Sequence, residues 1–316
     1  MLFKPKGFKD DIPGKLVYPR KIYNVGLPVV LYHYDASPVA RKVKHILTIK
    51  KIPHFRVETL PRPDFADRLG VKYRRIPVPA VGKDVYCDSS LIASRNGGGT
   101  VDTGMIKAFA MSYADRALGA LGSQTLPHHK FKPEFLDDRS NFGAKVDPQV
   151  IMANQPVVIS SFLADISVHY IWDWMQSFRP LRHIKQELFD ENKFPATLAW
   201  ISRMSTFIAK EDAAHEVILD NISGERAAEL ITSSLSADLN TVNFDEVEAS
   251  RLKVRLRELV SIAPTDNGKV PTLGILIGLN KEEVVIETTG SSGKPVCCHF
   301  PRFYYSVRVD APTANL

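Results

Sequence analysis

The rhythm of apolar and polar positions changes three times along this chain. Residues 29–34 (Val29-Val30-Leu31-Tyr32-His33-Tyr34) are a short apolar run of the kind that forms a buried strand. Val39, Val43, Ile46 and Leu47 then recur at helical spacing, with Arg41, Lys42 and Lys44 on the outer side. Ser37-Pro38 opens that helix, because serine is a favoured N-cap and proline at the first helical position gives up no useful N–H. Phe55, Val57 and Thr59 alternate as a second strand, and a polar loop follows. Pro79-Ala80-Val81, a turn at Gly82-Lys83-Asp84, and Val85-Tyr86-Cys87 predict a hairpin. Asp88-Ser89-Ser90 caps a short helix carrying Leu91 and Ile92, which Asn96-Gly97-Gly98-Gly99 ends. The order strand–helix–strand, hairpin, helix predicts a small mixed sheet with a parallel crossover.

Beyond the glycine run the period becomes helical. Residues 105–121 place Ile106, Phe109, Tyr113 and Leu121 on one face, and residues 157–178 are apolar nearly all round, as in the central helix of a bundle. A third helix over 194–208 has Pro195 in its first turn. From about residue 245 the rhythm shortens again. β-branched runs at 259–262, 273–279, 284–286 and 296–309, with a turn at Asp266-Asn267-Gly268, predict a small β-barrel or curled sheet.

Composition narrows the function. At 316 residues and 44% hydrophobic the chain has room for two or three cored domains. No apolar run approaches the roughly 18 residues a membrane span needs. The first 27 residues are basic, lack a signal-peptide apolar core and contain Asp10 and Asp11, so they read as an extension of a cytoplasmic protein. Cys87, Cys297 and Cys298 give neither a redox CxxC pair nor zinc spacing, and no metal is expected. Residues 1–95 hold 19 Lys/Arg against 8 Asp/Glu, a balance of +11 within a chain of +6. That basic first domain suits a small anionic ligand. Nucleic acid is not expected as a partner, since no recognition module or interleaved aromatic pattern accompanies the charge.

In this order the elements resemble the glutathione S-transferase superfamily. Residues 28–96 resemble its thioredoxin-like glutathione-binding domain and residues 103–209 its helical domain. Ser37-Pro38 resembles the arrangement in the tau and omega classes. The tail, with Phe300-Pro301-Arg302, is similar to that of a group of fungal glutathione S-transferase-like proteins. The implied architecture is an α/β thioredoxin-like N-terminal domain, an all-α bundle over 103–210 and a small β-barrel-like module over 245–311.

The resemblance implies a role for each matching residue. Ser37 would face the sulfur of glutathione. Val78 would pair its backbone with the cysteinyl part, and Pro79 would be the cis proline after it. Asp88 and Ser89 would grip the γ-glutamyl end, and Asp165 would cap a helix of the second domain. Three departures stand out. Pro77 occupies the place of a basic residue, which leaves Arg74 or Arg75 for the glycine carboxylate. Phe162 stands where the capping box needs Ser or Thr, with Ser161 one place off. The stretch 148–160 is short, which reads either as a rebuilt turn or as a faulty gene model.

Each residue also has a plainer reading. Ser37 could simply cap its helix, and Asp88-Ser89 could be another cap. Tyr32 and Tyr34 are rival hydroxyls that read as sheet aromatics, and Tyr113 as bundle core. His128-His129 reads as solvated loop, and His169 as a core histidine. The implied activity is conjugation or transfer of glutathione, as co-substrate, to a small hydrophobic electrophile by a homodimer. The alternatives are a non-catalytic glutathione-binding or regulatory protein and a glutathione-dependent isomerase or lyase.

Overall fold

A computed structural model of the chain describes residues 27–59, 63–89, 91, 166–177, 186, 188–215, 217–236, 242–266 and 268–310. The expectations for the basic extension, Ile92 and the glycine run, the helix at 105–121 with Tyr113, His128-His129, and Asp165 with its turn lie outside these residues.

β1 (Val29–His33) leads into α1 (Pro38–Ile49) and then β2 (His54–Glu58). β1 and β2 pair in parallel, with Val30 opposite Phe55 and Tyr32 opposite Val57. β3 (Val78–Val81) and β4 (Asp84–Tyr86) form the predicted hairpin around Gly82, which adopts φ +56°. A Cβ there would lie 2.2 Å from the Leu235 carbonyl oxygen, so only glycine fits this turn. Between β2 and β3, where the sequence reads as loop, lies the seven-residue α2 (Pro63–Leu69).

Adjacent positions of β1 serve opposite faces, as strand geometry requires. Val29 and Leu31 join Val43 and Leu47 of α1, together with Val81 and Tyr86. Val30 and Tyr32 pack on the other face with Phe65 and Leu69 of α2.

The helical region contributes α3 (Ile166–Ser177) and α4 (Pro195–Ala214), with Pro195 in the first turn as expected. Both pack on α1. Lys42, expected on the outer side of α1, is instead only 1% exposed, with its ammonium 6.0 Å from the centre of the Tyr170 ring of α3. α1 is covered by the sheet on one side and by α3 on the other, so it keeps little solvent-facing surface.

After α4 the chain returns to the first domain. β5 (Ile218–Asn221) pairs in parallel with β2, and α5 (Gly224–Ser233) lays Ala227, Ala228 and Ile231 against the same core as α2. α6 (Glu246–Leu252) then leads into β6 (Leu259–Pro264), β7 (Thr272–Leu279), β8 (Glu283–Thr289), β9 (Pro295–Pro301) and β10 (Tyr305–Val309).

The tail differs from the expected barrel-like module. Its strands continue the first sheet in the open order β10-β6-β7-β8-β9-β4-β3-β1-β2-β5. The junction is β9 alongside β4 in parallel, with Val85 opposite Cys298 and Tyr86 opposite His299. The exposed edge of the β3–β4 hairpin thus serves as the template for the tail, which removes the need for the tail to close on itself. One core cluster runs beneath the junction, from Val30 and Val78 through Cys87 and Cys298 to Ile286 and Phe300. The stretch 296–309, expected to be continuous, breaks at Tyr304, whose φ of +67° turns β9 back into β10.

Candidate functional site

Strand directions bring the sequence-derived site residues to one end of the sheet. β1 runs toward Ser37. β3 is antiparallel to it, with Tyr32 opposite Val78, so β3 begins at that same end. β4 is antiparallel to β3, with Ala80 opposite Val85, so it exits there into Asp88-Ser89. Ser37, the segment entering β3, and Asp88-Ser89 therefore line a single edge, in the lateral order β1, β3, β4.

Ser37 is the N-cap of α1: its backbone is extended at φ −77° and ψ 122°, and its Oγ accepts the Ala40 N–H at 3.2 Å. A hydroxyl has two acceptor lone pairs and one proton, so this cap leaves the O–H for another acceptor. The loop before it is pinned from the helical domain, where Trp174 Nε1 donates to the Ala36 carbonyl at 3.1 Å. Ser37 is 4% exposed. Tyr32, the rival hydroxyl, is core and meets Phe65 edge-on at 4.8 Å.

The proline expectation needs correction. The cis peptide bond among the described residues is Ile76–Pro77, and the bond into Pro79 is not cis. Val78 and Pro79 already lie within β3, opposite Tyr32 and Leu31, and both are buried. Ile76 lies ahead of the ladder and is only partly buried. In this register Arg75 comes immediately before Ile76, so Pro77 does not displace a basic residue. Sequence alone offers two X-Pro bonds two residues apart, and only the ladder distinguishes them.

Asp88 has φ +91°, which is unusual for a residue with a side chain. Its carboxylate oxygen Oδ2 lies 3.1 Å from the Tyr305 hydroxyl of β10, and that hydroxyl lies 3.3 Å from the hydroxyl of Tyr73. Ser89 beside it is 6% exposed. Arg75 is ion-paired with Asp266 of the tail. Burial first, then the Asp88 charge, pushes the Tyr73 phenol well up; burial, then Tyr73 and Asp88, does the same for Tyr305. Both phenols therefore remain neutral donors at ordinary pH.

A second polar cluster sits inside the β4–β9 junction, where the sequence suggested only a turn aspartate and a strand histidine. His299 Nδ1 lies 3.0 Å from Glu283 Oε2, and its Nε2 lies 3.1 Å from Asp84 Oδ1. All three residues are at most 4% exposed. Ser236 donates to Asp84, and the imidazole stacks on Tyr86 at 4.5 Å. Burial alone would lower the His299 pKa, but its hydrogen bonds to the two carboxylates outweigh that and raise it. Two carboxylates around one ring favour an imidazolium here, which makes this a structural clasp. An alternating strand pattern gives no signal for a pairing 215 residues apart in sequence.

The cysteines are buried and free. Burial pushes the thiols of Cys87 and Cys298 well up and that of Cys297 up to about 12, so none is a ready nucleophile. Among the described residues, no group of three or more His, Cys, Asp or Glu could hold a metal ion, and no helix is long and apolar enough to cross a membrane.

Comparison with known proteins places the first domain and the fold. Residues 31–95 match the family model for the glutathione S-transferase N-terminal domain, a span that includes Ser37, the two X-Pro bonds and Asp88-Ser89. A crystal structure of a GST-like protein from Pseudomonas syringae superposes with a TM-score of 0.65 at 21% identity. The match covers 89% of this chain and 99% of that one, so the shared fold extends well beyond the first domain. No curated protein matches the chain. Residues 31–95 thus match the glutathione S-transferase N-terminal domain, and the chain as a whole shares the fold of the GST-like structure.

Proposed function

We propose that the protein binds glutathione along the β1–β3–β4 edge and transfers it to a small hydrophobic electrophile. The observation carrying this reading is the convergence of Ser37 and Asp88-Ser89 on that edge. Their strands are two spacings apart, about 10 Å at ~4.8 Å each, and an extended tripeptide spans about 10 Å. In this reading the thiol lies at Ser37 and the γ-glutamyl end at Asp88, whose carboxylate pairs with the ligand's ammonium. The backbone pairing assigned to Val78 from sequence moves to Ile76, the residue outside the ladder, and the cis proline from Pro79 to Pro77.

A free thiol near pKa 8.5 is only a few per cent thiolate at neutral pH. Ser37 would donate its O–H to the sulfur and favour the charged form, assisted by the positive end of α1. A shift of two units corresponds to roughly 2.7 kcal/mol, which these effects together can supply. No proton leaves Ser37, so no neighbouring base is required. The helical domain would supply the apolar surface for the electrophile, and the working unit would be a homodimer.

Ser37→Ala tests this directly. With glutathione and an activated aryl halide, turnover should fall at least tenfold while glutathione affinity changes little. Unchanged turnover would remove Ser37 from the mechanism. The 4% exposure of Ser37 favours a second reading, glutathione binding without turnover. Retention on a glutathione column with no conjugation of any electrophile would select that reading.

A further inference from the structure

We propose that Tyr305, supplied by the tail, is a positioning residue for the amino end of the glutathione site, orienting the Asp88 carboxylate that meets the ligand's ammonium. The inference rests on the glutathione reading above and extends it to a part of the chain outside the family match at 31–95.

The argument begins with proton counting. Tyr73 and Tyr305 are 3% and 7% exposed, and their hydroxyls are 3.3 Å apart. Two hydroxyls carry two protons, but only one can lie between the two oxygens. The other must find an acceptor, because a buried hydroxyl without one is costly. The acceptor beside Tyr305 is Asp88 Oδ2 at 3.1 Å, and a carboxylate is the stronger one. The chain of donors therefore runs from Tyr73 to Tyr305 to Asp88.

Packing alone does not call for this hydroxyl. The ring of Tyr305 lies against Phe300 at 5.8 Å and Tyr73 at 6.4 Å, contacts a phenylalanine would also make. The O–H adds a fixed direction for one carboxylate oxygen. Asp88 needs such an anchor, because φ +91° persists only where the surroundings over-determine it. The backbone immediately before Asp88 is held by the tail as well, through Cys87 N–H donating to the His299 carbonyl at 2.9 Å. A carboxylate has about four lone-pair sites, so one bond from Tyr305 orients it without preventing it from receiving an ammonium. The Arg75–Asp266 pair joins the tail to the same rim. The tail thus forms one wall of the site.

The test is calorimetric titration of the full chain and its Tyr305→Phe variant. Two ligands are compared: glutathione, and the analogue γ-glutaryl-cysteinylglycine, which lacks the α-amino group. Tyr305→Phe should weaken glutathione by about five- to tenfold, within the range for the net contribution of a typical hydrogen bond. It should leave analogue affinity unchanged. Equal weakening of both ligands, or no weakening, overturns the inference while the glutathione reading stands. A wild-type chain that binds no glutathione overturns both. If Tyr305→Phe does not fold, Tyr73→Phe removes the donor behind it and should give the same ligand-selective loss, about two- to threefold. Equal effects on both ligands there would overturn the inference as well.

Discussion

Two of the seams that join the thioredoxin-like unit to the rest of the chain are built on different physics. Toward the helical domain, α1 meets α3 and α4 through side chains alone. Arg41 pairs with Asp173 at 2.7 Å, Thr48 donates to Asp212 at 3.2 Å, and the ring of His45 lies tilted 5.7 Å from that of His169. Toward the tail, β4 meets β9 through a backbone ladder, with the His299 clasp embedded in it. The first seam can slide or loosen a side chain at a time, whereas the second is fixed in register. Ser37 borders the adjustable seam and Asp88 the fixed one. In the glutathione reading proposed above, the sulfur end of the ligand would face the domain expected to accept varied electrophiles, and the amino end would face a rigid wall.

The largest effect should come from breaking the clasp. His299→Leu leaves Asp84 and Glu283 buried without their shared cation, a loss of about 3–5 kcal/mol readable by urea unfolding. A loss below 1 kcal/mol would mean that the ladder alone holds the tail. Next is Gly290→Ala. A Cβ there would stand 2.4 Å from the Arg68 carbonyl oxygen, where the β8–β9 turn caps α2 by donating Ser291 N–H to the Asp67 carbonyl at 2.7 Å. The backbone must shift, and about 1–3 kcal/mol should be lost, with faster amide exchange at that turn. On the other seam, Arg41→Met should cost about 1 kcal/mol, because Arg41 and Asp173 are each about one-quarter exposed and partly screened.

The seams should also respond oppositely to pH. Burial, its largest cause, lowers His45 to about 4, below its unfolded value near 6.5. The unfolded chain therefore binds more protons between those values, and the α1 seam loses stability as pH falls from 6.5 toward 4. The folded pKa of His299 is raised, so its contribution is full below 6.5 and is lost as pH rises through the raised value. Amide exchange at pH 5 and pH 8 should thus show α3 and α4 less protected at pH 5, and β9 less protected at pH 8. The same direction at both seams would contradict these assignments.

The contrast also explains what could be read from sequence. β1, α1 and the β3–β4 hairpin were legible because their apolar periods and turn residues are local. α2, β5 and α5 were not, being short segments whose order depends on contacts with a distant sheet. The β4–β9 pairing joins positions more than 200 residues apart, so alternation revealed the strands of the tail but not their partner. Lys42 was misplaced for a similar reason: periodicity identifies the face turned to the sheet but says nothing of a second layer on the opposite side. At the candidate site, Ser37 and Asp88-Ser89 were singled out by their turn chemistry and by the family resemblance, and strand direction brings them to one end of the sheet. Tyr305 has no local signature, because its hydrogen bond to Asp88 exists only where β10 passes that residue.

The most direct measurement is a crystal structure with glutathione soaked in. The account predicts the sulfur within hydrogen-bond distance of Ser37 Oγ, the cysteinyl backbone paired at Ile76, and the ammonium on Asp88 with the Tyr305 bond intact. Glutathione bound away from the β1–β3–β4 edge, or an edge left empty under conditions where the ligand binds in solution, would contradict it.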